Sequence, residues 1–179
     1  MLIKTVFSGF GGQGVLSMGH TLASAAMLEG KYVTYFPSYG AEVRGGTANC
    51  TVSISDEEIA SPVASQPDFV VSMNQPSFLR FQSLVQSGGL ILVNSSMVNI
   101  TSVRGDIEVV EIPISELAEK LGNLKVANMI ILGVFVRVSN ITSFSLLLKN
   151  LPAILGVKRS RLLKINKEAL ELGFNYLQG

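Results

Sequence analysis

An α/β fold, a three-layer sandwich with a mostly parallel central sheet and helices on both faces, is what the pattern of this 179-residue chain predicts. Short apolar runs of strand length alternate with longer amphipathic runs of helix length. Two of the short runs, 68–73 and 90–93, are apolar with little alternation, as in strands buried on both sides of a parallel sheet. A glycine-rich turn, Gly9-Phe10-Gly11-Gly12-Gln13-Gly14, joins the first strand-like run to the first helix-like one. That strand–turn–helix start makes the order Rossmann-like.

Residues 2–7 form the first expected strand and residues 15–28 the first helix. Glycines between them let the backbone take positive φ and let a ligand approach the main chain. The free N–H groups that open the helix, with the helix dipole behind them, favour an anion. Gly9, Gly11 and Gly14 match G-x-G-x-x-G, a spacing that a turn packing a helix tightly on a strand also satisfies. Residues 31–36, rich in β-branched and aromatic side chains, read as a second strand that Pro37 ends. A loop then spans 38–46, Ser38-Tyr39-Gly40-Ala41-Glu42-Val43-Arg44-Gly45-Gly46. Residues 47–54 alternate as a strand with Ala48, Cys50, Val52 and Ile54 on one face, and 56–59 form a turn or short helix stopped by Ser61-Pro62.

The buried strand 68–73 leads into a helix over 77–86, opened by Asn74-Gln75-Pro76 and closed by Gly88-Gly89. Strands follow at 90–93 and 107–112. Helices are expected over 115–121, 126–138, 143–155 and 164–177, broken at Gly122-Asn123, at Ser139-Asn140 and near Gly156. Strands joined through helices imply right-handed crossovers in a largely parallel sheet. Neither a repeat nor a linker interrupts the chain, so residues 1–179 are expected to be a single domain.

Composition narrows the function. Hydrophobic residues make up 47% and charged residues 15%, with a mean hydropathy of +0.42, so a partner is expected to cover part of the surface. The longest apolar stretch, 126–138, contains Asn128 and Arg137 and is too short to cross a bilayer. The first residues run straight into a strand pattern without a signal-peptide design, which points to the cytoplasm and to no membrane partner. A net charge of +1 without a basic run argues against nucleic acid. Cys50 cannot form an internal disulfide, and with His20 as the one histidine no zinc or iron–sulfur spacing exists, so no metal site is expected in this chain.

A dinucleotide site of the usual kind needs an acidic residue at the end of the second strand to hold the ribose. Residues 36–38 are Phe, Pro and Ser, and Glu42 lies several residues farther on. No Gly-Lys-Ser/Thr follows the glycines either. Loops at the carboxyl ends of strands border the crevice of an open sheet, so 38–46 is expected beside the glycine turn. Arg44 could clamp a phosphate or carboxylate there, and Glu42 could orient it or accept from a ligand hydroxyl or amine; a surface pair between the two is the alternative. His20 reads as a packing or surface residue, and Cys50 as buried and not nucleophilic. Asn128 opens an apolar helix, where a buried amide must be paired, through capping or a neighbouring loop.

Three motifs in order carry a resemblance: Phe-Ser-Gly-Phe-Gly-Gly-Gln-Gly-Val at 7–15, Ser-Tyr-Gly-Ala-Glu-Val-Arg-Gly-Gly-Thr-Ala-Asn-Cys-Thr-Val at 38–52, and Ile-Ser-Asp-Glu-Glu-Ile-Ala-Ser-Pro at 54–62. Pro-Asp-Phe-Val-Val-Ser-Met-Asn at 67–74 and Val-Ala-Asn-Met-Ile-Ile-Leu-Gly at 126–133 extend it. Together they resemble the gamma subunit of 2-oxoacid:ferredoxin (flavodoxin) oxidoreductases. The resemblance implies a non-autonomous subunit of a complex that decarboxylates a 2-oxoacid oxidatively to an acyl-CoA, with alpha, beta and in some cases ferredoxin-like delta subunits. Thiamine diphosphate and iron–sulfur clusters would sit in those partners, and ferredoxin or flavodoxin would take the electrons. This chain would cover the thiamine site and help to bind coenzyme A, as a substrate at a shared site. By analogy, Gly9, Gly11, Gly12, Gln13, Gly14, Ser38, Tyr39, Glu42, Arg44, Gly45 and Asn128 would form its part of the site, none of them catalytic. The resemblance leans towards 2-oxoglutarate and leaves pyruvate, branched-chain and aryl 2-oxoacids open. The competing readings are an assembly subunit without a ligand and a free-standing nucleotide-binding protein.

Overall fold

The computed structural model describes residues 1–39, 47–100, 104–156 and 161–178. Six strands, β1 Leu2–Phe10, β2 Tyr32–Tyr39, β3 Thr47–Ser55, β4 Phe69–Ser72, β5 Leu90–Asn94 and β6 Glu108–Ile112, form one sheet in the order β2-β3-β1-β4-β5-β6. The ladders β1–β4, β4–β5 and β5–β6 are parallel. Strand β3 is antiparallel to both β1 and β2. The sheet is thus mostly parallel as the pattern implies, but its second and third strands form a hairpin and β3 separates β2 from β1. Residues 40–46 are fewer than the roughly dozen that a parallel crossover needs, so strands joined by them must reverse direction.

Two strand boundaries differ from the sequence pattern for identifiable reasons. Strand β1 does not stop at Phe7, because Ser8, Gly9 and Phe10 pair with Asn49, Ala48 and Thr47 of β3. Strand β2 does not end at Pro37 but continues to Tyr39. It lies at the sheet edge, where a residue without an N–H need cost no ladder hydrogen bond.

The two faces of the sheet are covered unequally. On one, Phe7, Cys50, Val52, Ile54, Val71 and Leu92 pack into a core shared with α1 Val15–Leu28, α3 Ile114–Lys120, α4 Ala127–Ser139, α5 Phe144–Leu155 and α6 Leu163–Asn175. Helix α4 is buried from Ala127 to Val136, as that apolar run requires, and its Phe135 meets Phe7 and Phe69 edge-on at 5.4 and 5.6 Å between ring centres. Helix α6 crosses α4 where Gly133 and Gly173 let the backbones touch: a Cβ on Gly133 would run into the Leu170 carbonyl, and one on Gly173 into the Ile130 carbonyl. Glu29, just past α1, accepts from the Ser143 N–H at 2.7 Å and from the Thr142 hydroxyl, and so ties α1 to the start of α5.

The other face is covered by α2 Gln75–Phe81, with Phe78, Phe81, Val85 and Val98 over Val6, Val70, Ile91 and Val93. Helix α2 is shorter than the expected 77–86. Past its end, the Arg104 guanidinium donates to the carbonyls of Gln82, Ser83 and Val85 at 3.4, 3.3 and 2.7 Å, satisfying acceptors left open where the helix stops. Residues 56–59 form no helix. Among the described residues, no helix is long and apolar enough to cross a membrane.

Candidate functional site

The carboxyl ends of β1, β4 and β5 share one edge of the sheet. From β1 the chain leaves through α1 towards β2 and β3, whereas from β4 it continues to β5 and β6 on the other side. In open α/β sheets such a change of direction leaves a crevice between the two strands, where ligands bind. The glycine turn lies here. Gly12 and Gly14 have φ of 96° and 74°, values that favour glycine, and Gly14 is the residue that opens α1. Gly9 belongs to β1, where a Cβ would press on Gln13, Val15 and Met73. Its role is close packing, whereas Gly11 faces open space.

The interior of the turn is filled by its own Gln13. The Gln13 N–H donates to the Phe10 carbonyl at 3.1 Å, and its side chain folds back so that Oε1 accepts from the Phe10 N–H at 2.6 Å and from Asn74 Nδ2 at 3.0 Å. Nε2 donates to the Met73 carbonyl at 3.4 Å and to Met97 Sδ at 3.3 Å. Beside the turn opens a cleft of about 270 Å³, lined by Gly12, Gln13, Met73, Asn94, Met97, Ser115, Leu124, Lys125 and Ala127.

Each wall has a local cause. Asn74 follows β4 and caps α2, its Oδ1 accepting from the Ser77 N–H at 3.0 Å. Asn94 ends β5 and binds Ser115 of α3, giving Nδ2–H to Oγ at 3.0 Å and accepting from the Ser115 N–H at 3.4 Å. Asn128, the second residue of α4, donates to the Gly14 carbonyl at 3.3 Å, so the starts of α1 and α4 converge at the cleft. Both bring the positive ends of their dipoles, and the exposed Lys125 is the charged residue among the lining side chains. The arrangement suits an anionic group.

Of the residues singled out from the sequence, Gly9, Gly11, Gly12, Gln13, Gly14 and Asn128 come together around the start of α1. Ser38 and Tyr39 belong to β2, in register with Asn49 and Ala48 of β3, which in turn face Ser8 and Gly9. They therefore stand about two strand spacings, roughly 10 Å, from β1. Glu42, Arg44 and Gly45 lie outside the described residues. Sequence reasoning missed Asn94, Met97, Ser115 and Lys125, and used Asn74 only as a helix opener. The available signal was a polar amide directly after each buried strand, Met73-Asn74 and Val93-Asn94, at the strand ends that border the crevice. Cys50 is buried, with its thiol pushed up to about 12 by desolvation, and its Sγ lies 3.7 Å from the Val15 carbonyl, so it is no nucleophile. His20 is exposed on α1, edge-on to Tyr35.

A family model described as pyruvate ferredoxin/flavodoxin oxidoreductase matches residues 4–176. The chain belongs to this family. Within the pyruvate ferredoxin/flavodoxin oxidoreductase family, the ketoisovalerate oxidoreductase subunit VorA of Methanothermobacter thermautotrophicus is 44% identical over 132 residues, covering 74% of this chain and 27% of that subunit. The 2-oxoglutarate synthase subunit KorC of Methanocaldococcus jannaschii is 36% identical over 139 residues, covering 76% of this chain and 74% of that subunit. The chain thus spans about a quarter of the VorA subunit it matches and about three quarters of the KorC subunit. The crystal structure of a keto/oxoacid ferredoxin oxidoreductase gamma subunit from Geobacter sulfurreducens matches with a TM-score of 0.81 at 30% identity, over 97% of this chain and 96% of that one. A 2-oxoglutarate:ferredoxin oxidoreductase from Magnetococcus marinus, with 2-oxoglutarate, coenzyme A and succinyl-CoA bound, matches with a TM-score of 0.88 at 23% identity, over 99% of this chain and 31% of that one. At that identity the likeness establishes the fold.

Proposed function

We propose that this chain is the gamma subunit of a 2-oxoacid:ferredoxin oxidoreductase and that its cleft receives an anionic part of coenzyme A. The observation that carries this reading is the convergence of the α1 and α4 starts on a cleft whose charged residue is Lys125. The family supplies the reaction class. A cleft of about 270 Å³ is below the usual range for a whole drug-sized ligand, so it holds one portion of a molecule as long as coenzyme A. The remainder extends over the surface towards the segment between β2 and β3, where Glu42, Arg44 and Gly45 remain candidates for a second wall.

In this reading the chain binds and orients, and makes no bond itself. Thiamine diphosphate in a partner subunit supplies the carbanion chemistry when bound, and iron–sulfur clusters in partners carry electrons to ferredoxin or flavodoxin. Lys125 and the two helix starts hold the acceptor, so that its thiol meets the acyl group without a free search, which removes part of the entropic barrier. Partners of alpha, beta and delta type complete the site. The relatives' names span ketoisovalerate, 2-oxoglutarate and pyruvate, in line with a chain that handles the common acceptor and leaves the choice of 2-oxoacid to its partners.

The test is steady-state kinetics of the assembled complex with coenzyme A varied and a viologen as electron acceptor. Lys125→Ala should raise KM for coenzyme A on the order of tenfold, with a smaller change in kcat. An unchanged KM would overturn the assignment and favour a purely architectural subunit.

A further inference from the structure

We infer that the hydrogen bond from Asn74 to Gln13 is a positioning link, which presets the glycine turn at the cleft and couples it to the start of α2. The inference deepens the coenzyme A reading and rests on it. Asn74 is 1% exposed and serves two directions: its Oδ1 accepts from the Ser77 N–H, and its Nδ2 donates to Gln13 Oε1. The same Oε1 accepts from the Phe10 N–H. A main-chain N–H therefore anchors each end of the pair, so the orientation of both amides is fixed by groups that can only donate. The far end of the Gln13 amide faces the Met73 carbonyl and Met97 Sδ, and all three residues line the cleft.

This side chain stands in for contacts the turn otherwise lacks. Nothing lies within 4 Å of where a Cβ would be on Gly11 or Gly12, so packing around those two residues restrains them little. Glycines left free in this way carry a large conformational entropy, which a ligand binding to them would have to remove. Gln13 removes it in advance, and its effect belongs in the affinity for the acceptor substrate rather than in the chemical step.

Asn74→Asp separates the link from the cap. The aspartate still accepts from the Ser77 N–H, so α2 keeps its cap, but its second oxygen now opposes Gln13 Oε1. The Gln13 amide must turn over to donate to it, and the Phe10 N–H then loses its acceptor. A second variant, Gln13→Glu, keeps the acceptor for both Phe10 and Asn74 and loses the donors to Met73 and Met97, while placing a negative charge at the cleft.

Hydrogen exchange read by mass spectrometry on the assembled complex, with coenzyme A kinetics on the same preparations, decides the matter. For Asn74→Asp, exchange in a peptide spanning 9–14 should accelerate about tenfold, while peptides of α2 stay protected and KM for coenzyme A rises severalfold at nearly constant kcat. For Gln13→Glu, whose second oxygen opposes the Met73 carbonyl, exchange over 9–14 should also accelerate, and KM should rise more than in Asn74→Asp because a negative charge enters the cleft as well. Unchanged exchange over 9–14 in Asn74→Asp would overturn the link whatever the ligand. Accelerated exchange with an unchanged KM would overturn its positioning role. An unchanged KM for coenzyme A in Lys125→Ala would overturn the reading of the cleft, and the exchange data would still decide the link.

Discussion

Asn128 and Gly14 are joined by a hydrogen bond of 3.3 Å that runs between the starts of two helices 114 residues apart in the chain. The Gly14 carbonyl also accepts from the Met18 N–H at 3.0 Å, the first bond of α1, so Asn128 occupies its remaining acceptor position. The space where a Gly14 Cβ would go is taken by the Asn128 side chain. The two residues are fitted to each other, and changes to them should fail for different reasons.

Gly14→Ala meets both the positive φ and the Asn128 side chain, and should destabilise the chain by about 3 kcal/mol. Asn128→Ala removes one bond to a carbonyl that keeps another, and should cost about 1 kcal/mol. Urea denaturation of each variant would check the order; an equal loss in both would count against the fit described.

Helix α6 depends on Gly133 and Gly173. Replacing either by alanine drives a methyl group into a main-chain carbonyl of the other helix, and neither backbone can yield without separating α4 from α6. A loss of about 3 kcal/mol or more is expected for each in thermal or chemical unfolding. Gly30→Ala, which has open space and only its positive φ to contend with, should cost less than either.

Cys50 supplies a pH dependence. Its thiol is pushed up to about 12 in the fold by burial, whereas an unfolded chain ionises it near the ordinary value of 9.0. The raised value means that the fold favours the neutral thiol. This contribution to stability is complete below about pH 9 and is lost as the pH rises towards 12. Cys50→Ala should flatten the alkaline limb of a stability-against-pH curve. In the native protein at pH 8 the thiol should stay unmodified by a disulfide reagent such as dithionitrobenzoate, and react once urea is added.

Arg104 ties the turns after α2 together, through three carbonyls and a bond of 2.6 Å to Asp106. The guanidinium holds the Asp106 carboxyl below the usual carboxylate range, so this pairing persists above the ordinary aspartate range and is lost only as the pH falls through the lowered value. Arg104→Lys keeps the charge but loses the fork, and faster hydrogen exchange across residues 82–89 is the expected result. Unchanged exchange there would show that the carbonyls find other partners.

What could be read in advance follows from range. The buried strands at β4 and β5, the helix α4 and the glycine turn are written in neighbouring residues, and each lies within a few positions of its expected place. The pairing of β3 between β1 and β2 is a long-range choice that no local pattern encodes, and the persistence of β2 through Pro37 depends on its edge position, which follows from that choice. At the site, Gln13 and Gly14 stand out by themselves, whereas Lys125, Asn94 and Ser115 acquire meaning only when the ends of β1, β5, α3 and α4 meet. Asn128 was legible as a buried amide in need of a partner; that its partner is Gly14 was not.

The position of β1 has a consequence for biosynthesis. Both of its neighbours in the sheet, β3 and β4, are made after it, and the second of its ladders cannot close until Ser72 has left the ribosome. Until then the nascent chain carries a nine-residue, largely apolar strand with at least one open edge, the kind of segment that invites mispairing between chains on neighbouring ribosomes. Slower translation or a holdase chaperone acting while residues 2–72 emerge should raise the yield of folded protein more than the same help given after Ser72.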